Sequence, residues 1–214
     1  MIATAKTPRT PRTAEISESG SAFERLCRKA QTCSLCPRME GRTAVLSGLN
    51  GCLIPRILFV AEAPGRRGGD RTRIPMSGDA SGRTFRHLMR VAGIAESEIF
   101  ITNAVLCNPR SETGANRSPS AMEMRNCSSY LRRTIEVLNP PLVVTIGATA
   151  LTATDRIEAH GFKLEKDVGI VADWYGRQLT PLFHPSPQVL ISRRNLAQQE
   201  DDWRRLGSWL ALRR

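Results

Sequence analysis

The feature of the sequence that most constrains the fold is an alternation of short apolar runs with longer amphipathic patterns. Four runs have the length and composition of buried β-strands, and they cover residues 56–61, 99–106, 142–146 and 179–183. Helical periodicity follows the first three runs, at residues 81–92, 120–137 and 148–157. This alternation is typical of a parallel sheet with helices on both faces. We therefore predict an α/β fold, a three-layer α/β/α sandwich with a central four-stranded parallel sheet.

The remaining segments extend this framework at both ends. Apolar residues recur at helical spacing over residues 21–31 and 198–212, which predicts an opening helix and a closing helix. The segment between residues 163 and 178 has room for a hairpin or an edge strand. Residues 1–19 are rich in Thr, Pro and Ser and show no apolar periodicity. We predict a disordered basic tail over residues 1–19 and one folded domain over residues 20–214.

The charge balance restricts the class of partner. The chain has 31 Lys and Arg against 20 Asp and Glu, a net charge of +11 and a pI near 10.3. This excess favours a polyanion, nucleic acid first, because cationic side chains release the counterions condensed on phosphates. The other interpretation is a basic protein whose charge serves only solubility. No apolar run approaches the ~18 residues of a membrane helix and no signal-peptide core is visible, so we expect a cytoplasmic monomer.

Six cysteines are present, and four of them suggest a ligand set. Cys33 and Cys36 form a CxxC motif after the opening helix, and Cys107 and Cys127 make a second pair downstream. Thiolates spaced in this way can ligate a metal or a cluster. A redox pair at the CxxC motif and buried cysteines without a ligand are the alternatives.

Polar residues stand at the ends of three strand-like runs, where parallel strands form ligand sites. Glu62 and Asp79 flank a Gly/Pro/Arg loop, Asn103 lies in the second run, and His184 follows the fourth. Each side chain also has a structural interpretation. These are a helix N-cap for Asp79, a turn cap for Asn103, a core position for His184, and backbone hydrogen bonding for Glu62.

Motifs at these strand ends carry a resemblance to a known family. They are Glu62-Ala63-Pro64-Gly65, Gly69-Asp70-Arg71-Thr72, Ser77-Gly78-Asp79-Ala80-Ser81-Gly82, Thr102-Asn103-Ala104-Val105-Leu106-Cys107 and Phe183-His184-Pro185-Ser186-Pro187. Over residues 33–206 the sequence resembles the uracil-DNA glycosylase superfamily, specifically its iron–sulfur branches, families 4 and 5. The first motif is similar to family 4, and the second and third are similar to family 5. The resemblance implies a parallel sheet of four strands between helices, in agreement with the hydrophobic pattern.

The resemblance also implies a cofactor. The cysteines that bind a [4Fe-4S] cluster in these branches correspond to Cys33, Cys36, Cys107 and Cys127. An iron–sulfur cluster is therefore expected rather than zinc, which the spacing alone leaves open.

The site roles follow from the resemblance together with the chemistry of glycosidic bond cleavage. Breaking the bond builds positive charge on the deoxyribose and negative charge on the leaving uracil. We predict that Asp79 positions or deprotonates the attacking water and that His184 donates to uracil O2. Asn103 is expected to read the uracil edge through its amide, and Glu62 to orient the water or the loop.

The pocket residues include departures from the family pattern. Ala61 replaces the glycine usual before the glutamate, and Ala63 occupies the position of the catalytic aspartate in the best-known uracil glycosylases. Met76 stands where these branches usually place a phenylalanine that stacks on uracil. A thioether covers a base face but specifies ring orientation less sharply than an aromatic ring. With Gly65, Ala63 and Met76 complete the predicted substrate site.

Contacts to DNA are expected from loop residues around the pocket. Arg71, Arg73, Ser186, Gln188 and Arg193 are the leading candidates, and residues 187–195 resemble a loop that penetrates the strand. Further candidate arginines are Arg66, Arg67, Arg110, Arg117 and Arg194.

These inferences lead to one functional hypothesis and one alternative. The first is a monofunctional DNA glycosylase that acts on uracil-containing DNA in base excision repair, at the nucleoid, and leaves an abasic site. The alternative is a non-catalytic nucleic-acid-binding module stabilised by a metal cluster, in which Asp79 only caps a helix.

Overall fold

A computed structural model describes the backbone of residues 11–213 and the side chains of residues 20–213. The helices of this part of the chain are α1 (Pro11–Gln31), α2 (Gly69–Thr72), α3 (Ala80–Val91), α4 (Ala121–Leu138), α5 (Ala148–Asp155), α6 (Leu164–Asp167), α7 (Pro187–Ser192) and α8 (Leu196–Ala211). The strands are β1 (Ile57–Ala61), β2 (Ile99–Asn103), β3 (Leu142–Ile146), β4 (Ala172–Trp174) and β5 (Arg177–Leu182). Short 3₁₀ turns occur at Pro37–Met39, Gly48–Asn50 and Glu96–Glu98.

The strands form one sheet in the order β2-β1-β3-β5-β4. Four neighbouring strands are parallel, as predicted, with Ile57 of β1 paired to Ile99 of β2 and to Leu142 of β3. The predicted strand number is wrong by one, because β4 adds an antiparallel edge strand to β5. A two-residue turn at Tyr175 and Gly176 joins these strands, and both residues have the positive φ that such tight hairpins require. The strand β4 lies within residues 163–178, where the sequence left room for a hairpin or an edge strand, although three residues are too few to give a clear strand pattern.

The sheet is covered on both faces, which confirms the three-layer sandwich. Leu58 and Val60 of β1 pack in a core with residues of α1 and α4, whereas Ile57 and Phe59 pack with residues of α3 and α8. On the second face the rings of Phe59 and Trp203 stack with their centroids 5.5 Å apart. All five residues of β1 are buried, as expected for a central parallel strand.

Helix α1 is longer than its apolar periodicity predicts. It begins at Pro11 rather than near residue 21, so the backbone of residues 11–19, assigned above to the tail, is helical. Residues 1–10 lie outside the described residues, and the division into tail and domain stays a prediction. None of the helices in the described part is both long enough and apolar enough to cross a membrane.

Candidate active site

A cavity of about 400 Å³ lies at the carboxyl ends of β1, β2 and β5. The strands bring together segments that are some 40 residues or more apart in the sequence, because parallel strands all end at the same edge of the sheet. The predicted catalytic, substrate-binding and DNA-binding residues that line it are Glu62, Ala63, Gly65, Met76, Asp79, Asn103, His184, Ser186 and Gln188.

Glu62 is the first residue after β1, and its carboxylate is held from a neighbouring helix. Its Oε2 accepts a hydrogen bond of 2.9 Å from the hydroxyl of Thr149, in the first turn of α5. Its backbone carbonyl accepts from the amide of Val105 at 3.1 Å, which ties the loop after β1 to the segment after β2. The carboxylate is thereby fixed at the wall of the cavity.

Asp79 uses its two carboxylate oxygens differently. Oδ1 accepts the Gly82 amide at 2.9 Å and caps the N-terminus of α3. Oδ2 lies against Gly65 and Gly68: a Cβ on Gly65 would stand 3.2 Å from it, and a Cβ on Gly68 would overlap it. The capping role is therefore present, and it leaves the second oxygen at the cavity.

Asn103 ends β2 and is 3% exposed. Its Nδ2 is buried, and it has no hydrogen-bond partner within the described residues. An unsatisfied buried donor costs about 1–3 kcal/mol, so native proteins rarely keep one without a reason. A donor of this kind on a cavity wall is suited to an acceptor on a bound ligand.

His184 lies two residues beyond β5 and contacts the end of β3. A Cβ on Gly147, which has a φ of 94°, would stand 3.2 Å from the Cβ of His184, so a glycine leaves space for the histidine. Burial lowers the pKa of the ring, and the carboxylates of Glu62 and Asp79 oppose this effect. The ring is therefore neutral at pH 7, with one nitrogen donating and the other accepting.

Met76 reaches the cavity through an unusual backbone conformation. Its φ of 50° lies in the left-handed region, which is uncommon for a residue other than glycine. Its carbonyl accepts a 2.9 Å hydrogen bond from Nη1 of Arg86 and packs so closely on Gly82 that no Cβ fits there. Strained residues of this kind persist where surrounding contacts fix them, often at functional sites.

Comparison with known proteins identifies the family. The family model described as "Uracil DNA glycosylase superfamily" matches residues 50–207. The chain belongs to this superfamily. It is 35% identical over 174 residues to the type-4 uracil-DNA glycosylase of Thermotoga maritima, covering 81% of this chain and 85% of the relative. It is 24% identical over 198 residues to the type-4 enzyme of Archaeoglobus fulgidus (87% and 92%), and 28% identical over 193 residues to the type-5 enzyme of Pyrobaculum aerophilum (77% and 83%).

Relatives of both types agree with the mixed motifs, and the predicted family is confirmed.

Arg73, predicted to contact DNA, is engaged within the protein. Its Nη2 donates to the carbonyls of Thr43 at 3.1 Å and Ala44 at 2.8 Å, and its Nη1 donates to the carbonyl of Asp70 at 3.3 Å. Like Met76, it has a positive φ, 62°, at the end of α2. Its contacts indicate that it joins the loop after β1 to the segment that precedes the sheet.

Three further arginines bind carboxylates at 2.5 Å: Arg110 to Asp70, Arg117 to Glu123, and Arg194 to Asp202. Among the arginines predicted to contact DNA, the exposed ones are Arg66, Arg67, Arg71, which lies in α2, and Arg193.

The four predicted cluster ligands meet beside a second cavity of about 350 Å³, lined by Cys33, Cys36, Cys107 and Cys127. Burial, and to a smaller extent the neighbouring thiols, raise the pKa of Cys107 to about 11 and that of Cys127 to about 12. Within the described residues, no group of three or more His, Cys, Asp and Glu side chains is arranged to hold a metal ion. The donor type at this cavity, four cysteine thiols, is the one that iron–sulfur clusters use.

Two asparagines at the active-site cavity carry no signal in the sequence. Asn108 and Asn116 line it together with Arg117 and Ser118, all from the segment between β2 and α4. This segment has neither helical nor strand periodicity, so no pattern in the sequence indicated where its side chains lie.

Proposed function

We propose that the protein is a monofunctional uracil-DNA glycosylase, which hydrolyses the N-glycosidic bond of deoxyuridine in DNA, releases uracil and leaves an abasic site for base excision repair. The observation that carries the proposal is the buried, unpartnered Nδ2 of Asn103, which lines the same cavity as two carboxylates and a neutral histidine. The names of the relatives support this reaction.

Recognition begins with extrusion of the nucleotide, because the glycosidic bond is inaccessible inside a stacked duplex. In the cavity, Nδ2 of Asn103 donates to uracil O4 and its Oδ1 accepts from N3–H. Cytosine presents the opposite pattern at these two positions, so it leaves the buried Nδ2 unsatisfied. The thioether of Met76 covers a face of the base, and Ala63 and Gly65 leave space for it.

Bond cleavage requires stabilisation of charge at both ends of the breaking bond. His184 donates a hydrogen bond from a ring N–H to uracil O2 as negative charge develops there. The carboxylate of Asp79 stabilises the positive sugar and accepts a proton from the attacking water. Glu62, whose carboxylate accepts from Thr149, orients the water or the loop after β1.

Cys33, Cys36, Cys107 and Cys127 are the residues that we propose to hold a [4Fe-4S] cluster. When bound, the cluster would join α1, the segment after β2 and α4 through iron–thiolate bonds. The chemistry of the donor set supports this proposal, since four thiols meet at one cavity.

DNA is bound, in this proposal, by the exposed arginines around the cavity and by the start of α7. Arg71 and Arg193 are exposed, and Ser186 and Gln188 lie at the cavity where α7 begins. Arg73 acts instead by holding the loop after β1. We place the protein in the cytoplasm, at the nucleoid, as a monomer.

The test is release of uracil from a labelled oligonucleotide. Wild-type protein is expected to leave an abasic site without cutting the strand, whereas Asp79→Ala, Asn103→Ala and His184→Ala each lower the rate by about 10²–10³-fold. Tight binding to uracil-containing DNA with no release over hours would instead support the non-catalytic binding module. Wild-type rates in all three variants would overturn the site assignment.

A further inference from the structure

An arginine with an unpartnered donor lines the thiol cavity, the one formed by Cys33, Cys36, Cys107 and Cys127. Arg42 is part of the wall of this cavity, and its Nε is buried. Within residues 20–213 this nitrogen makes no hydrogen bond. Buried donors without an acceptor are rare in native proteins because they lose their hydrogen bonds to water. The Nε of Arg42 is therefore suited to an acceptor bound in the thiol cavity.

The backbone that carries Arg42 is held on both sides. Its own amide donates to the carbonyl of Met39 at 2.9 Å. The next two carbonyls, of Thr43 and Ala44, accept from Nη2 of Arg73 at 3.1 Å and 2.8 Å. The side chain of Arg42 thus starts from a fixed point, which directs its guanidinium group toward the cavity at little entropic cost.

A second side chain of the same wall already donates to a cysteine sulfur. Nδ2 of Asn126 donates to the carbonyl of Leu35 at 2.9 Å and to Sγ of Cys36 at 3.4 Å. Hydrogen bonds to the sulfurs are one of the means by which proteins set the reduction potential of an iron–sulfur cluster. The wall therefore has one neutral donor directed at sulfur, and Arg42 adds a charged one.

The charge of Arg42 has no equivalent around the thiol cavity. A cluster bound by four thiolates carries net negative charge, which is costly to bury unless a cation offsets it. Among the described residues that line the cavity, Arg42 is the only cation, and the other charged residue is the exposed Glu40. Arg73 lies nearby, but its guanidinium group is 3.8 Å from the carboxylate of Asp70, which offsets its charge.

We propose that Arg42 is a positioning residue of the iron–sulfur site, whose Nε donates to a sulfur of the bound cluster and whose charge offsets that of the cluster. The inference rests on the cluster in the proposed function and not on the glycosylase reaction. Because the reduced cluster is more negative than the oxidised one, the cation favours reduction and raises the reduction potential. It also stabilises the thiolates as ligands, which slows the loss of iron.

Three variants separate this role from simple packing. Arg42→Met keeps an apolar stem but removes the donor and the charge. Arg42→Lys keeps the charge and removes the Nε donor. Arg38→Met is the matched control, because Arg38 is an exposed arginine of the same segment that does not line the thiol cavity.

The experiment compares the iron-loaded proteins, purified without oxygen, in two measurements. The first is the rate of iron release to a chelator, and the second is the reduction potential of the cluster by voltammetry. We expect Arg42→Met to release iron about 10–100-fold faster than wild type and to have a lower potential. Arg42→Lys should have a potential between the two, and Arg38→Met should match wild type. If Arg42→Met assembles no cluster, faster iron release from Arg42→Lys than from Arg38→Met supports the same conclusion.

Two results overturn the role of Arg42. Equal iron release and equal potential in the Arg42 variants and Arg38→Met show that Nε does not contact the cluster. Faster iron release at an unchanged potential shows that the side chain only packs against the segment. A wild-type protein without iron overturns the cluster and the inference together. A brown wild-type protein that releases no uracil overturns only the glycosylase reaction, and the difference between Arg42→Met and Arg38→Met still decides the role of Arg42.

Discussion

Oδ2 of Asp79 occupies the space in which a side chain on Gly68 would begin. We therefore predict that Gly68→Ala displaces the carboxylate and slows uracil release by about 10²-fold, because small misplacements of a catalytic group have effects of this size. Gly48→Ala is the control, since a Cβ at Gly48 meets nothing within 4 Å. Equal rates in the two variants would show that the carboxylate position does not limit the reaction.

The titration of His184 should make the free energy of unfolding depend on pH. Its pKa is lowered by folding from an ordinary value of 6.5, so just below pH 6.5 the unfolded chain binds more protons than the folded protein. The contribution of His184 to the free energy of unfolding therefore falls as the pH is lowered below about 6.5. Above that pH its contribution is constant. Urea titrations from about pH 5 to 8 should show a smaller fall for His184→Gln than for wild type. Parallel curves would contradict the lowered pKa.

Arg117 and Glu123 form a buried ion pair that should stabilise the folded protein. The hydrogen bond from Arg117 and the capping bond from Ser120 hold the pKa of Glu123 at about 2, below its ordinary value of 4.5. The contribution of this ion pair to the free energy of unfolding is complete above pH 4.5 and is lost as the pH falls toward 2. At pH 7, Glu123→Gln is expected to lower the free energy of unfolding by about 1.5–3 kcal/mol, measured with urea.

The control for this pair is an exposed one. Asp201 pairs with Arg204 on the surface, with side-chain exposures of 64% and 53%. Asp201→Asn should change the free energy of unfolding by less than about 1 kcal/mol. A similar loss at Asp201 and Glu123 would argue against a special role for burial.

The cysteines allow a direct comparison between proposed ligands and other thiols. Cys127→Ser should give a pale protein with little iron. Cys52 does not line the cavity formed by the four proposed ligands, so Cys52→Ser should stay brown with about four irons per chain. Iron analysis and the visible absorption spectrum measure the result. Equal iron in both variants, or zinc in the wild-type protein, would contradict the proposed cluster.

Met76→Phe tests the departure from the family pattern. An aromatic ring at the cavity wall is expected to strengthen base stacking by about 0.5–1.5 kcal/mol, which lowers KM for uracil-containing DNA by about 2–10-fold. Met122, 66% exposed and outside the cavity, provides the control Met122→Phe. An unchanged KM in Met76→Phe would indicate that the thioether already covers the base as well as a ring.

Much of the fold was predictable because its signals are local and periodic. The apolar runs of β1 and β3 are buried on both faces, so they read as continuous hydrophobic segments. Glu62, Asn103 and His184 were predictable as one site because parallel strands end at a common edge. The hairpin of β4 falls in the range where the sequence left room for a hairpin or an edge strand, but three residues ending in a tight turn carry too little pattern to give its bounds.

The remainder of the site depends on contacts between distant segments. Asn108 reaches Pro64 across 44 positions, and Asn116 reaches Arg66 across 50, from a segment without periodicity. Contacts between distant segments also decide which arginines form ion pairs within the protein and which stay exposed. Arg110 finds Asp70 40 residues away, so the sequence did not indicate which guanidinium groups remain exposed to a phosphate.

Helix α8 makes hydrogen bonds to the segment after β5 that carries His184. Nε2 of Gln199 donates to the carbonyl of His184 at 3.3 Å and to that of Arg194 at 3.2 Å, and Asp202 binds Arg194. The same helix supplies Trp203, whose ring stacks on Phe59 of β1, so α8 supports both the sheet and the segment that carries His184. A chain that lacks this helix would expose one core face of the sheet and lose the contacts that position the histidine, so uracil release would be lost together with stability.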